Sequence, residues 1–199
     1  MTERTIACED RDFTQWRGAA EHVLIWAVLV DVDGVRAAVE QARARWADVL
    51  LPRYERQPHV TVGYGGPLPA VGAAPADPVY TQERAESDRA ALECLALAPF
   101  EVRVGGWGSF QMSPYLRAEA PELEMLAGAL GEGRRRPYVP HVTIGLYSIS
   151  VPLAEVAARA EGWVSPAVTV PVSRVSLLRY EAADVAGPLE EVAAVELRG

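Results

Sequence analysis

An eight-residue segment occurs twice in this chain, once in each half. Gln57-Pro58-His59-Val60-Thr61-Val62-Gly63-Tyr64 returns as Val139-Pro140-His141-Val142-Thr143-Ile144-Gly145-Leu146, with five of the eight positions identical. The flanks correspond as well: Arg53 and Arg135 each stand six positions before their histidine. A helix-like and then a strand-like pattern leads into both copies, which reads as an internally duplicated fold. In a strand, residues two apart project to the same face. His59 and Thr61 therefore point together, as do His141 and Thr143, while Val60, Val62, Val142 and Ile144 anchor the strands in a core. Gly63 and Gly145 continue the polar face without bulk, so that a ligand can approach the backbone there. A pseudo-twofold relation between the halves would set two imidazoles and two hydroxyls face to face across a cleft.

The rest of the chain is compatible with that arrangement. Its 199 residues, half of them hydrophobic, suffice to bury roughly 70% of the unfolded surface in one core without a disulfide or metal staple. Residues 1–22 are expected to be an amino-terminal extension and 23–199 a single bilobal domain. Strands are predicted over Val23–Val30, His59–Tyr64, Phe100–Val104 with a continuation through Trp107–Met112, Pro114–Arg117, His141–Tyr147, within Val168–Tyr180, and over Glu190–Leu197. Helices are predicted over Val35–Leu50, Gln82–Leu97, Pro121–Leu130 and Pro152–Glu161, with loops at Gly65–Pro78 and at Arg134–Arg136. The class is mixed, α+β.

Composition narrows the chemistry. All nineteen basic residues are arginine, and there is no lysine or asparagine. A Walker-type phosphate loop, a Schiff-base enzyme and a lysyl-adenylate ligase are thereby excluded. A net charge of -8 argues against wrapping a long nucleic-acid duplex. It leaves open a small anionic ligand, for which two or three arginines suffice. Cys8 and Cys94 form no ligand cluster, and His22 is the only histidine outside the repeat, so no metal set is expected. The longest apolar run, Val23 to Val32, is too short to cross a bilayer. The first twenty residues carry Glu3, Glu9, Asp10 and Asp12, unlike a secretory signal. No membrane partner and a cytoplasmic location are expected.

Two imidazoles on one ligand divide acid from base. With a pKa of about 6.5, histidine serves in either role near neutrality. Hydrolysis or transesterification of a phosphodiester needs both: one group takes a proton from the attacking oxygen, the other gives one to the leaving oxygen. Threonine hydroxyls and an arginine can donate to the nonbridging oxygens. Neither a metal nor a cofactor enters this scheme.

The paired His-Val-Thr-Val and His-Val-Thr-Ile segments resemble the 2H phosphoesterase superfamily, the group of bacterial RNA 2',3'-cyclic phosphodiesterases (the LigT, or "2'-5' RNA ligase", group). The resemblance runs from about Val23 to Leu197. It implies a duplicated, bilobal α+β fold, with two antiparallel-type sheets flanking a central cleft and helices outside. It also implies His59 and His141 as the acid/base pair and Thr61 and Thr143 as phosphate ligands. The glycines before Ser109-Phe110 are similar to the family's strand between the motifs. The expected reaction is hydrolysis of a 2',3'-cyclic phosphate, on a nucleotide or an RNA end, to a 2'-phosphate. The same chemistry on 2'-5'-linked or cyclic signalling oligonucleotides, or on ADP-ribose cyclic phosphate, is an alternative. So is a non-catalytic module that binds a nucleotide or RNA end. The oligomeric state is not readable.

Around the pair, Tyr147 shares the parity of His141 and is a candidate for stacking on a base or bonding a phosphate. Phe110 and Arg135 complete the substrate-binding candidates, Arg135 as part of the Arg134–Arg136 run that could steer an anion. Arg53 and Arg56 are its counterpart in the first half. Tyr64 has the opposite parity and is expected to pack. Trp16 with Arg17 could form a lid.

Overall fold

A computed structural model describes residues 3–69, 80–131, 137–165 and 167–199. The first sheet is built on β1 (Ala20–Leu29), whose apolar run is buried on both faces. Leu24, Trp26 and Val28 point into the main core, whereas Val23, Ile25 and Ala27 join Leu178 and Tyr180 in a smaller cluster on the other side. Helix α2 (Asp33–Arg45) begins with an acid in its first turn, which suits the helix dipole, and buries Val35, Ala38 and Ala42. It ends before the predicted Leu50, because Trp46 leaves helical geometry to enter the core, fully buried. The first motif strand, β2 (His59–Pro69), then pairs antiparallel with β1.

The second half repeats the plan. After α3 (Gln82–Cys94), capped by the Thr81 side chain, come β3 (Phe100–Ser109) and β4 (Pro114–Glu119). Next are α4 (Pro121–Ala129), with proline in its first turn, and the second motif strand β5 (His141–Thr143). Strand, helix and motif strand thus recur as β1-α2-β2 and β4-α4-β5. The short α5 (Leu153–Ala158), β6 (Val168–Val172), β7 (Arg174–Glu181) and β8 (Glu190–Glu196) complete the fold. The two antiparallel sheets run β2-β1-β7-β8 and β5-β4-β3-β6, so each motif strand is a sheet edge. The sequence-predicted α+β class with two antiparallel sheets is the observed architecture. No described helix is long and apolar enough to cross a membrane.

Besides the early end of α2, helices α3 and α5 are shorter than predicted, and three strands depart from the sequence reading. β3 is one continuous strand through its glycines. β2 runs on into the predicted Gly65–Pro78 loop, of which residues 70–79 lie outside the described residues. β5 stops at Thr143 rather than Tyr147, and the chain beyond it divides its bonds between its own half, where Ile144 donates to Pro114 and Tyr147 to Met112 (each 3.0 Å), and the other half. Leu51 donates its backbone N–H to the Leu146 carbonyl at 2.8 Å, and Ser148 donates to Val49 at 2.9 Å.

The residues before β1 cross the molecule as a strap. The Thr5 N–H bonds to Val151 (2.8 Å), Ile6 to Gln111 (2.7 Å) and Cys8 to Tyr147 (2.7 Å), all in the second half. Arg53, before the first motif, grips Asp10 of the strap and Asp184 of the β7–β8 connection. Arg53 is consumed by these carboxylates. A four-residue helix, α1 (Thr14–Arg17), follows, and Arg17 is bound to Asp12.

Candidate active site

The two motif histidines are held in the same way. Nδ1 of His59 lies 2.7 Å from the Gln57 carbonyl, and Nδ1 of His141 lies 2.7 Å from the Val139 carbonyl. A carbonyl only accepts, so each Nδ1 carries the proton and each Nε2 keeps its lone pair. Backbone two residues upstream thus fixes one tautomer in both halves. Burial pushes the His59 imidazole down to about 4, against the pull of the Gln57 carbonyl, and the nearby charges of Arg56 and His141 add to the depression. His141 is lowered as well, again by burial. Each ring is therefore a neutral imidazole at pH 7.

Strand register shows what shares their faces. Thr61 and His59 pair with Ala27 and Leu29 of β1, and Thr143 and His141 pair with Tyr115 and Arg117 of β4. Tyr115 packs its ring 5.2 Å from that of His141, and Phe110 stands edge-on to the same imidazole at 4.9 Å. Phe110 is thus a wall of the second histidine, 37% exposed. Two tyrosines sew the halves together at the motifs. Tyr138 donates its hydroxyl to the Thr61 carbonyl at 2.8 Å, and Tyr54 hydrogen-bonds the Thr143 side chain. Neither tyrosine is singled out by the motif search, although each lies a few residues before a motif histidine.

The structure corrects three further expectations. Tyr147 is completely buried and its hydroxyl is 2.7 Å from Ser109 Oγ. It does not line the cleft, because β5 ends before strand parity reaches it. Tyr64 is 49% exposed rather than packed. The pairing of Trp26 with Gly63 and of Ala27 with Thr61 leaves Val62 as a β-bulge, which returns Tyr64 to the face of His59 and Thr61. His22, on β1, belongs to the opposite face. The motif glycines do not open a path to the backbone. A Cβ at Gly63 would stand 2.6 Å from Leu130 at the end of α4, and one at Gly145 would stand 2.6 Å from Arg43 Nη1 on α2. Each glycine admits a side chain from the other half. The predicted Arg135, with Arg134 and Arg136, lies outside the described residues.

Arg43 shows why that room is needed. Its guanidinium donates to the carbonyls of Ile144 (2.9 Å), Leu51 (3.2 Å) and Pro52 (3.1 Å), clamping the second motif onto the first half. Gly145→Ala is expected to cost about 1–3 kcal/mol by overpacking. In an Arg43→Ala background the same substitution should cost less, since nothing remains to collide with. Urea denaturation of the four proteins checks this, and strictly additive losses would sink the explanation.

Arg56 is the cation left for a ligand in the lead-in to β2. Its guanidinium lies 3.9 Å from the Tyr180 ring centroid, and its buried Nε has no hydrogen-bond partner. With Thr143, Tyr54 and Tyr180 it lines a cavity of about 530 Å³, to which strap residues including Phe13 and Trp16 also contribute. Among the described residues no three His, Cys, Asp or Glu side chains cluster in a way that could hold a metal ion. Arg117, opposite His141 in the register, is a second cation on the motif face.

Comparison with known proteins adds two findings. Residues 31–184, a span that contains both motifs, match the family described as the 2'-5' RNA ligase superfamily. Among solved structures, TT0787 of Thermus thermophilus is 23% identical with a TM-score of 0.58, over 89% of this chain and 98% of that one. Escherichia coli LigT complexed with ATP is 16% identical with a TM-score of 0.57, over 90% and 99%. The same protein complexed with 3'-AMP is 18% identical with a TM-score of 0.51, over 90% and 99%. At these identities the likeness establishes the fold. No curated protein matches the sequence.

Proposed function

Because this chain belongs to the 2'-5' RNA ligase superfamily, a family of phosphoesterase type, we propose that it hydrolyses a 2',3'-cyclic phosphate on a nucleotide or an RNA end, leaving a 2'-phosphate. The observation that carries the reading is the shared tautomer: both imidazoles present Nε2, with Nδ1 tied to a backbone carbonyl. In the reaction, water attacks phosphorus and the P–O3' bond breaks. One Nε2 takes the proton from water as the new P–O bond forms. The other imidazole, protonated beforehand, releases its proton to the departing 3'-oxygen. Thr61, Thr143 and Arg56 are the donors to the nonbridging oxygens, where charge redistributes in the transition state. Both protons travel through imidazole, so the scheme calls for no metal or cofactor. That E. coli LigT has been crystallised with ATP and with 3'-AMP supports a nucleotide as the ligand class here.

The experiment is a panel of 2',3'-cyclic mononucleotides, 2'-5' and 3'-5' dinucleotides and ADP-ribose 1'',2''-cyclic phosphate, followed by phosphorus NMR in excess chelator. A 2'-phosphate product from the cyclic mononucleotides is the expected outcome. Turnover confined to the dinucleotides or the ADP-ribose compound would move the substrate and keep the chemistry. Binding without turnover of any compound would leave a nucleotide-binding module.

The pH profile follows from burial. The reaction needs one imidazole neutral and one protonated, and that population peaks between their two pKa values. Burial holds both below the ordinary 6.5 of histidine, His59 at about 4. The kcat/KM profile, which reports the free enzyme, is therefore expected to be a bell centred below pH 6.5 and falling toward alkaline pH. A plateau extending to pH 8 would contradict it.

A further inference from the structure

The strap lies before the family match, which begins at residue 31, yet it walls the cavity that reaches Thr143. We propose that the strap forms the nucleobase subsite of this protein, with the base of a single nucleotide against Phe13 and Trp16 and its phosphate at Arg56 and Thr143. The inference rests on the phosphoesterase reading above and names the feature that would hold the nucleoside.

The cavity lining joins two kinds of group. The unpartnered Nε of Arg56 and the hydroxyl of Thr143 offer positive charge and hydrogen-bond donors to an anion. Phe13 and Trp16 offer aromatic rings. Trp16 is 52% exposed although tryptophan is normally drawn into cores. Arg11 covers one face of the Phe13 ring at 4.2 Å, which holds that ring in place. Glu9, also in the lining, is ion-paired with Arg11 at 2.5 Å. A volume of about 530 Å³ falls within the range of small-molecule sites.

The strap is also built to stay in place. Thr5 and Cys8 bond it to the second half, and Asp10 is gripped by Arg53, which also holds Asp184. A surface fixed to both halves does not have to be ordered when a base arrives, which lowers the cost of binding. Stacking on an aromatic ring tolerates any base, since every base has a π face. The subsite thus selects a terminal or free nucleotide with little preference among bases.

Calorimetry with adenosine 2'-monophosphate and with inorganic phosphate tests the assignment. Trp16→Ala and Phe13→Ala are each expected to weaken the nucleotide about 10- to 100-fold and to leave inorganic phosphate unchanged. Trp16→Phe, which keeps a stacking ring, should recover most of the loss. Arg56→Gln should weaken both ligands. Thermal unfolding of the variants identifies any that fail to fold, and Trp16→Phe serves as the readout that folding cannot mimic. If Trp16→Ala and Phe13→Ala bind the nucleotide as tightly as the parent, the subsite is elsewhere. If they weaken nucleotide and phosphate equally, the strap is only a brace and the inference is overturned. Turnover of 2',3'-cyclic AMP by the parent is measured alongside. Turnover with nucleotide affinity unaffected by the strap variants overturns the subsite alone, and absence of both nucleotide binding and turnover overturns the function with it.

Discussion

Replacing either motif histidine by alanine is expected to lower kcat on the cyclic substrate by about 10²- to 10⁴-fold, the usual contribution of a positioned proton donor or acceptor. Product affinity should change far less, since the threonines and Arg56 remain. The double variant should fall little below the worse single one, because the two imidazoles serve one transition state and lose their value together. Single-turnover kinetics on 2',3'-cyclic AMP measures the chemical step directly. His59 is 8% exposed, so His59→Ala leaves a cavity. An unfolding transition recorded beside each rate separates lost chemistry from lost fold. Two variants that turn over like the parent while remaining folded would end the paired-imidazole mechanism. A loss of turnover with binding intact would end the binding-module alternative.

Trp46→Ala is expected to be the most damaging core substitution, at about 3–5 kcal/mol. Trp46 is fully buried where α2 ends, stacked on Trp107 of β3 at 5.5 Å and edge-on to Trp163 at 5.4 Å. Its indole N–H also donates to the Val156 carbonyl at 3.2 Å. One side chain of the first half thereby holds β3 and the α5 end of the second. Truncation removes a large apolar volume, two ring contacts and the donor to a carbonyl. Trp46→Phe keeps a ring in place and should lose clearly less. Denaturant unfolding monitored by circular dichroism gives both values, and a loss under about 1 kcal/mol for the alanine variant would show that the cavity collapses freely.

What the sequence made legible follows the range of the interactions involved. The duplicated motif, the alternation around each histidine and the strand-helix-strand order are local patterns. They sufficed for the mixed α+β class, while the two antiparallel sheets came with the resemblance that the paired motifs carry. Tyr147 was misread because simple alternation from His141 presumes a strand that continues. The chain instead leaves β5 after Thr143 to bond Val49 and Leu51, partners about a hundred residues away in sequence. Tyr64 was misread for a comparable reason, a bulge at Val62 that a single sequence does not announce. The motif glycines illustrate the same limit. Their lack of bulk was visible, but Leu130 and Arg43, which occupy the space, approach from the other half. The path of the strap depends on Thr5, Cys8 and Asp10, whose partners are all distant in sequence.

The sheet order carries a consequence for how the chain acquires its shape. β1 and β2 of the first sheet wait for β7 and β8, at the far end of the sequence, whereas β3 to β6 form a complete second sheet among themselves. During synthesis from the amino terminus, the middle of the polypeptide can therefore settle before the first-made strands have all their neighbours. The earliest strand pair, β1 with β2, must persist with an open edge until Arg174–Glu181 emerges. Such long-range closure slows folding and leaves strand edges exposed to aggregation in the interval.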